Sequence, residues 1–310
     1  MYRYVLRRLL LTIPVILGAI FLVFTIMSLT PGDPGTLILG MTADKEDIEA
    51  LNRELGYDKP FLVRFFNYLA DIIFRFDFGD SYRTRTPVFQ EIFQRFPNTF
   101  YLAVGSMALS SILGISLGIL SAVRQYSFID TFFTVMAMFF AAIPGFWLGL
   151  MLMLVFSLRL GWLPSSGVDS WRCFILPTAT LSAGGAAGLM RLTRSTMLET
   201  IRQDYIRTAR AKGASETTVI WKHALKNALL PVITSMGMSF GASLGGAIII
   251  ETVFGMPGLG TYIVTSIRQK DVPAVSAATL LLSVLFCLIM LVVDLLYAFL
   301  NPRIKARYTS

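Results

Sequence analysis

Apolar residues occur along this chain in long runs that are separated by shorter polar segments. Each run has about 20 residues or more, which is the length at which an α-helix crosses about 30 Å of hydrocarbon. The runs cover residues 9–29, 100–122, 133–158, 175–193, 229–250 and 278–299. The pattern therefore predicts an all-α integral membrane protein with six transmembrane helices.

The long segment between the first two runs, residues 31–98, is polar but retains helical patterns. Residues 44–55 have a helix-forming composition, and residues 60–76 carry aromatic and aliphatic residues at helical spacing. Those residues are Phe61, Phe65, Tyr68 and Leu69. We expect a small helical cap on one face of the membrane.

These boundaries predict four parts. Residues 1–30 form an N-terminal transmembrane helix, and residues 31–98 an external helical segment. Residues 99–300 form a core of five helices with a cytoplasmic loop at 194–228, and residues 301–310 a cytoplasmic tail. The first run is too long for the apolar core of a cleaved signal peptide, so we expect it to remain as a helix.

The composition excludes a soluble enzyme. Of the 310 residues, 55% are hydrophobic and 15% are charged, where a soluble domain carries about 25% charged residues. The net charge of +8 lies between the apolar runs, which argues against nucleic-acid binding. Cys173 falls in a loop and Cys287 inside an apolar run, so we predict no disulfide, and His223 is the single histidine, with no cluster that would indicate a metal site.

The lysine and arginine residues are distributed unequally between the two sides of the membrane. The short loops and ends on one side hold fifteen of them and the short loops on the other side hold four. Positive charge favours the cytoplasmic side of a membrane protein. We therefore expect a bacterial plasma-membrane protein with both termini in the cytoplasm.

The loop between the fourth and fifth runs has the pattern of two short helices joined by a turn. Gly213 can end the first helix in a left-handed conformation, and Ser215 can cap the second. Pro231 is expected to open the next span, with Val219, Ile220 and Leu225 packing inward. From the residues alone, this loop is either a connector lying on anionic lipid or a docking element for a soluble partner.

The residues of this loop resemble the coupling loop of ABC importer permeases, in particular those of the peptide/nickel branch. The resemblance lies in Tyr-Ile-Arg-Thr-Ala-Arg-Ala-Lys-Gly at 205–213 and in Trp-Lys-His-Ala-Leu-Lys-Asn-Ala-Leu-Leu-Pro at 221–231. Arg-Thr-Ala at 207–209 replaces the general Glu-Ala-Ala, and Leu-Lys at 225–226 replaces Leu-Pro. Both departures resemble that branch. The resemblance assigns ATPase coupling to Tyr205, Arg207, Ala209, Gly213, Ala214, Ser215, Glu216, Ile220 and Leu225.

The resemblance extends over the whole chain and is closest to the first of the two permeases in such systems. The further matching segments are 4–11, 31–34, 146–149, 161–164, 251–260 and 301–303. The resemblance implies a type I importer permease fold with an extra N-terminal span and a helical external loop. It also implies a second permease, two ATP-binding subunits and an external substrate-binding protein.

The resemblance further implies alternating access driven by ATP and Mg on the partner subunits, with no catalytic residue, cofactor or metal on this chain. The sequence contains no Gly-x-x-x-x-Gly-Lys-Ser/Thr phosphate loop, which agrees with a separate ATPase. The expected cargo is a short peptide, with nickel or a metal chelate as the alternative. An ion-coupled secondary transporter and a membrane-embedded enzyme are alternatives of other classes.

Glycines in the fifth run recur every four residues, at Gly237, Gly241 and Gly245. Such a smooth stripe allows another helix to approach closely, and we predict that it forms the seam with the second permease. The shorter repeats Gly114/Gly118, Gly145/Gly149 and Gly184/Gly188 are expected to serve packing inside the chain.

Two further features lie at the end of the fifth run and within the last run. The resemblance suggests an outer gate or a docking edge at Glu251, Phe254, Pro257, Gly258 and Gly260. Asp294 lies in the last run, where a charge needs a partner. We expect a structural ion pair with Arg191 or Arg194 there, and a place in the transport pathway is the alternative.

Overall fold

The computed structural model describes residues 2–30, 32–40 and 42–300, apart from the side chains of residues 2–5, 7, 294 and 296–300. This part of the chain divides into two compact units. Tyr2–Thr99 and Pro257–Cys287 form one, here called the loop unit. Phe100–Met256 and the residues from Leu288 onward form the other, the core unit.

The helices of the loop unit follow the expected patterns. They are α1 (Tyr2–Leu29), α2 (Pro34–Leu39), α3 (Lys45–Glu54), α4 (Phe61–Ala70), which continues as a π-helical turn over Asp71–Arg75, α12 (Leu259–Arg268), and parts of α5 (Val88–Val123) and α13 (Val272–Leu300). Asp33 starts α2 by accepting a hydrogen bond from the Thr36 backbone N–H at 2.8 Å. Asn52 of α3 donates to the same carboxylate at 2.6 Å, which joins α2 to α3.

Two adjacent charged residues are buried at the start of α13. Lys270 Nζ donates to the backbone carbonyl oxygens of Thr30 and Gly32, and Asp271 accepts a hydrogen bond from the Ser81 hydroxyl. Burial lowers the pKa of Lys270 and raises the pKa of Asp271, because removal from water disfavours the charged form of each side chain. These contacts attach Gly32 and Ser81 of the polar segment to the start of α13.

The core unit contains the remaining helices. They are α6 (Phe128–Ala142), α7 (Gly145–Leu152) with a π-helical continuation over Met153–Arg159, a 3-10 turn (Trp171–Phe174), α8 (Ile175–Ile201), α9 (Asp204–Ala211), α10 (Glu216–Thr218) with a π-helical continuation over Val219–Ala224, and α11 (Leu225–Val253). α8 packs against α5, α6, α7 and α11. A Cβ atom on Gly118 would lie 2.6 Å from Thr193 Cβ, so α5 and α8 approach as closely as glycine allows.

The membrane fold predicted from the sequence is confirmed. In the described residues, five helices are long and apolar enough to cross a bilayer. They are Arg8–Leu29, Val88–Val123, Trp171–Ile201, Glu216–Val253 and Val272–Val293. A sixth span results if the pair Phe128–Ala142 and Gly145–Arg159 counts as one.

The sequence pattern missed a break in the third span. The two halves meet at an angle of 102° instead of forming one helix over 133–158. Ile143 is extended, with ψ 128°, which agrees with the steric clash by which the ring of the following Pro144 disfavours the helical conformation. Proline therefore ends α6 and starts a new direction in α7.

Two other boundaries differ from the expectation. α5 begins at Val88 instead of near residue 100, so the end of the polar segment belongs to this helix. Pro231 lies inside α11 and does not open it, and Pro97 lies inside α5. Helices at membrane depth tolerate proline, since neighbouring helices satisfy the freed carbonyl groups.

Candidate coupling segment and transport path

The turn between α9 and α10 has the conformation that its sequence predicts. Gly213 adopts a left-handed backbone with φ 83°, and its N–H donates to the Arg210 carbonyl at 2.9 Å. The Ala214 N–H donates to the Ala209 carbonyl at 3.2 Å. The Ser215 side chain then accepts a hydrogen bond from the Thr218 N–H at 3.4 Å, and this caps the next helix.

A bidentate ion pair closes the turn. Arg210 Nε and Nη2 donate to the two carboxylate oxygens of Glu216 at 2.6 and 3.1 Å. These hydrogen bonds raise the pKa of Arg210. An exposed pair adds little stability, but two parallel hydrogen bonds restrict the angle between the two helices. Glu216 thus fixes the shape of the turn from within this chain.

The inner face of the turn is completely buried in the core unit. Ile206, Val219 and Ala224 each have no exposed surface, and they join a cluster with Ile119 and Met197. Ile220 and Leu225 pack against this cluster as expected, and Ala214 does so too. The second helix is continuous with α11 through its π-helical turn, and its buried residues pack against Met197 of α8.

The outer face of the turn presents polar and aromatic side chains. Tyr205, Arg207 and Lys222 are exposed, and the Asn227 amide donates to the Tyr205 hydroxyl at 2.8 Å. Trp221 is 59% exposed, and sequence reasoning did not single it out. An exposed tryptophan between charged residues is the signal that could have identified it, because Trp is enriched at interfaces.

A buried ion pair lies at the end of the core unit that carries the turn. Arg194 Nε and Nη2 donate to Asp130 at 2.6 and 2.8 Å. The Ser121 hydroxyl and the Tyr126 N–H, the latter at 3.0 Å, donate to the same carboxylate. The pair connects the α5–α6 hairpin to α8. The sequence analysis expected Arg191 or Arg194 to pair with Asp294, whose side chain lies outside the described residues.

The glycine stripe of α11 has a different surrounding at each position. Gly237 is buried and packs directly against Val293 of α13 in this same chain. Gly241 is half-buried, and Gly245 is exposed, with nothing within 4 Å of a Cβ placed there. Among the shorter repeats, Gly114 and Gly118 pack against α8 as expected, whereas Gly184 and Gly188 face open space.

The residues of the predicted outer gate are mostly buried. In the core unit, Glu251 has no exposed surface, Phe254 is 1% exposed, and the Met256 N–H donates to the Glu251 carbonyl at 2.8 Å. In the loop unit, the Pro257 carbonyl accepts from the Asn98 amide at 2.9 Å. Gly258 and Gly260 are buried there too.

A groove of about 420 Å³ opens beside the break between α6 and α7. Small and apolar side chains of four helices line it, including those of Pro144, Thr180, Gly184, Gly246 and Ile249. Such a lining offers few polar groups that would select one chemical structure. Within the described residues there is no group of three His, Cys, Asp or Glu that could hold a metal ion.

Two family models match this chain. Residues 114–306 match the inner membrane component of binding-protein-dependent transport systems, and residues 1–103 match the N-terminal part of such membrane components. The chain belongs to this family. It is therefore the membrane-spanning permease of an ABC transporter and resides in the inner membrane.

Relatives and solved structures agree with that assignment. The permease is 45% identical over 305 residues to the glutathione transport system permease protein GsiC of Salmonella typhimurium, covering 98% of this chain and 99% of the relative. The same protein of Escherichia coli K12 gives the same values. The fold resembles the MetNI methionine ABC transporter with a TM-score of 0.59 at 18% identity, covering 69% of this chain and 97% of that chain.

The family assignment bears on the earlier alternatives. The permease is the pore component and is not itself a catalyst, so the membrane-enzyme alternative was wrong. The ion-coupled alternative is disfavoured as well, because the family and the relatives are those of ABC transporters. The roles of the individual residues above remain predictions.

Proposed function

We propose that the permease is the first of two pore subunits of an importer that takes up short peptides with energy from ATP. Its relatives are named for glutathione, which is a tripeptide, and this name favours a peptide over nickel as cargo. The groove beside the α6–α7 break has a mainly apolar lining with few polar groups, which suits cargo of variable side chains. No cofactor is needed on this chain, since ATP and Mg would act on partner subunits.

One observation supports a mechanical role for the α9–α10 turn. Its inner residues are fully buried against α5 and α8, while its outer face is exposed. A partner that binds the exposed face would therefore push on a rigid element. We propose that two ATP-binding subunits bind at this turn and at its counterpart on a second permease, and that both termini lie on the same, cytoplasmic, side.

A pair of tryptophan variants tests this docking. Trp221 and Trp162 are both exposed, at 59% and 65%, and only Trp221 lies on the turn. We expect Trp221→Ala to reduce the amount of ATPase that copurifies with the permease, and Trp162→Ala to leave it unchanged. Equal ATPase recovery from both variants would contradict docking at this face.

The cargo is tested with the whole assembly in liposomes, together with its external binding protein. We expect radiolabelled glutathione or other short peptides to enter only when ATP is supplied, and to stimulate ATP hydrolysis. Unlabelled peptides should compete with that uptake, whereas nickel should not. Uptake of nickel in place of peptide would overturn the proposed cargo and leave the family assignment untouched.

The contact with a second permease is proposed to include the exposed side of α11. Gly237 cannot test it, because a larger side chain there would collide with Val293 of the same chain. Gly245 has open space around it, so Gly245→Leu should fold normally. We expect this variant and Gly241→Leu to lose copurification with the second permease or to lose transport. Normal assembly and uptake in both would refute the seam.

A further inference from the structure

The α4 segment, meaning α4 and its π-helical continuation over residues 61–75, is apolar on two opposite sides. Phe61, Phe65 and Tyr68 face the core of the loop unit. On the other side, Leu62, Val63, Phe66, Ile73 and Phe74 are exposed. A helix that is apolar nearly all round belongs in an apolar environment on both sides, because water would leave one side unfavourably exposed.

The inner contacts of the α4 segment lie well inside a membrane span. The Phe65 ring lies 5.2 Å from the ring of Phe21 and 5.6 Å from that of Phe24, centre to centre. Phe61 makes similar contacts, at 5.8 and 5.7 Å. Both partner rings belong to the candidate span Arg8–Leu29. With a rise of 1.5 Å per residue, Phe21 lies about 12 Å, and Phe24 about 8 Å, before the end of that span.

Polar residues of the α4 segment form one narrow stripe. Arg64, Asn67, Asp71 and Arg75 recur every three or four residues, which places them along one line of the helix. Arg75 pairs with Asp71 at 3.1 Å, and the Arg64 guanidinium lies 3.9 Å from the centre of the Tyr57 ring. A wide apolar arc with one polar stripe is the pattern of a helix that lies in the plane of a membrane interface.

The outer side of the α4 segment resembles the lipid-facing surface of the helix on which it packs. α1 exposes Leu22 and Ile26 by more than half, in the same stretch that carries Phe21 and Phe24. Phe66 and Phe74, at 61% and 82% exposed, extend this apolar surface along the α4 segment. A soluble partner protein would have to reach below the end of the span to cover Phe66, whose neighbour Phe65 packs on Phe21 and Phe24, whereas lipid chains surround a membrane span at that level.

We propose that the α4 segment lies at the boundary between hydrocarbon and headgroups, with Phe66, Ile73 and Phe74 inserted among the lipid chains. The polar stripe then faces the headgroups and water. This part of the predicted cap is consequently a membrane anchor, and it holds the external helical segment against α1. The inference uses only the membrane location of the chain, so it does not depend on the cargo or on the coupling proposal.

Site-directed spin labelling of the complete transporter in liposomes tests the anchor. In a background with Cys173→Ala and Cys287→Ala, which removes both cysteines of the sequence, single cysteines are placed at Phe66 or at Phe74. The control is a cysteine at Arg53, an exposed residue of α3. Each label is probed with oxygen, which concentrates in hydrocarbon, and with a water-soluble nickel chelate.

We expect the ratio of oxygen to nickel accessibility at positions 66 and 74 to be several-fold higher than at position 53. A ratio equal to that at position 53 would mean that the surface faces water, and this would overturn the proposal. Low accessibility to both reagents would mean that a protein covers the surface, and this would overturn it as well. ATP-dependent uptake by the labelled variants serves as a check that each one is folded.

Discussion

Replacing Asp130 by asparagine should lower the free energy of unfolding of the core unit by about 3 kcal/mol. The Asp130 carboxylate is 5% exposed and accepts hydrogen bonds from two nitrogen atoms of Arg194. It also accepts from Ser121 and from the backbone N–H of Tyr126. Asparagine keeps the shape of the side chain, so the change removes charge without creating a cavity.

The magnitude follows from the arginine that would be left without its partner. Removing one member of a buried ion pair costs about 3–5 kcal/mol. Because the Arg194 side chain is 26% exposed, it can regain some contact with water, which favours the lower end of that range. At 2–4 °C per kcal/mol, the melting temperature should fall by roughly 6–12 °C.

Thermal unfolding of the purified permease, followed by fluorescence-detected size exclusion, measures the effect. Asp204→Asn is the matched control, because Asp204 and Arg207 form an exposed pair at 3.7 Å in the same unit. Such a pair contributes little, so the control should melt like the wild-type protein within error. If Asp130→Asn also melted like the wild type, the pair would not hold the α5–α6 hairpin to α8.

Three further predictions concern other parts of the fold. Gly118→Ala should lower the free energy of unfolding by about 1–3 kcal/mol, because its Cβ would lie 2.6 Å from Thr193 Cβ. Gly188 faces open space, so the control Gly188→Ala should melt like the wild-type protein in the same assay. Gly213→Val should lower the free energy of unfolding by about 1–2 kcal/mol, because a residue with a side chain is unfavourable at a φ of 83°. It should also reduce the amount of ATPase that copurifies with the permease, and full recovery of ATPase would show that the turn tolerates the strain. Burial opposes ionisation of Asp33, but hydrogen bonds from Asn52 and Thr36 outweigh this effect and lower the pKa of Asp33 from its ordinary value of 3.8. The ionised carboxylate therefore stabilises the folded state above pH 3.8, and this stabilisation is lost as the pH falls through the pKa that Asp33 has in the folded protein. The difference in melting temperature between wild type and Asp33→Asn should accordingly be greatest near neutral pH and shrink in acid; a constant difference would contradict this assignment.

Local patterns in the sequence predicted a large part of the fold. Apolar runs located the membrane helices, because their length is set by the thickness of the bilayer, whatever the neighbouring helices are. Gly213 and Ser215 predicted the coupling turn for a similar reason. A left-handed residue and a helix cap depend on a few adjacent residues only. The resemblance of the same loop led to the family before any contact was known.

Proline residues did not predict consistently where a helix ends. Pro144 ends a helix and turns the chain by 102°, whereas Pro97 and Pro231 lie inside continuous helices. The ring imposes the same restriction at all three positions. Whether the helix continues depends on what else satisfies the freed backbone groups, and that is a property of the surrounding helices.

The sequence by itself determined the membrane location, the number of spans to within one, the turn between α9 and α10, and the family. Only the tertiary structure decided that Arg194 pairs with Asp130, that Gly237 packs within the chain while Gly245 is open, and that α4 lies beside the last third of α1. The first group depends on residues close in sequence and on the thickness of the bilayer. The second depends on which helix surfaces meet, and those surfaces are brought together by residues as far apart as Asp130 and Arg194, 64 positions in the chain.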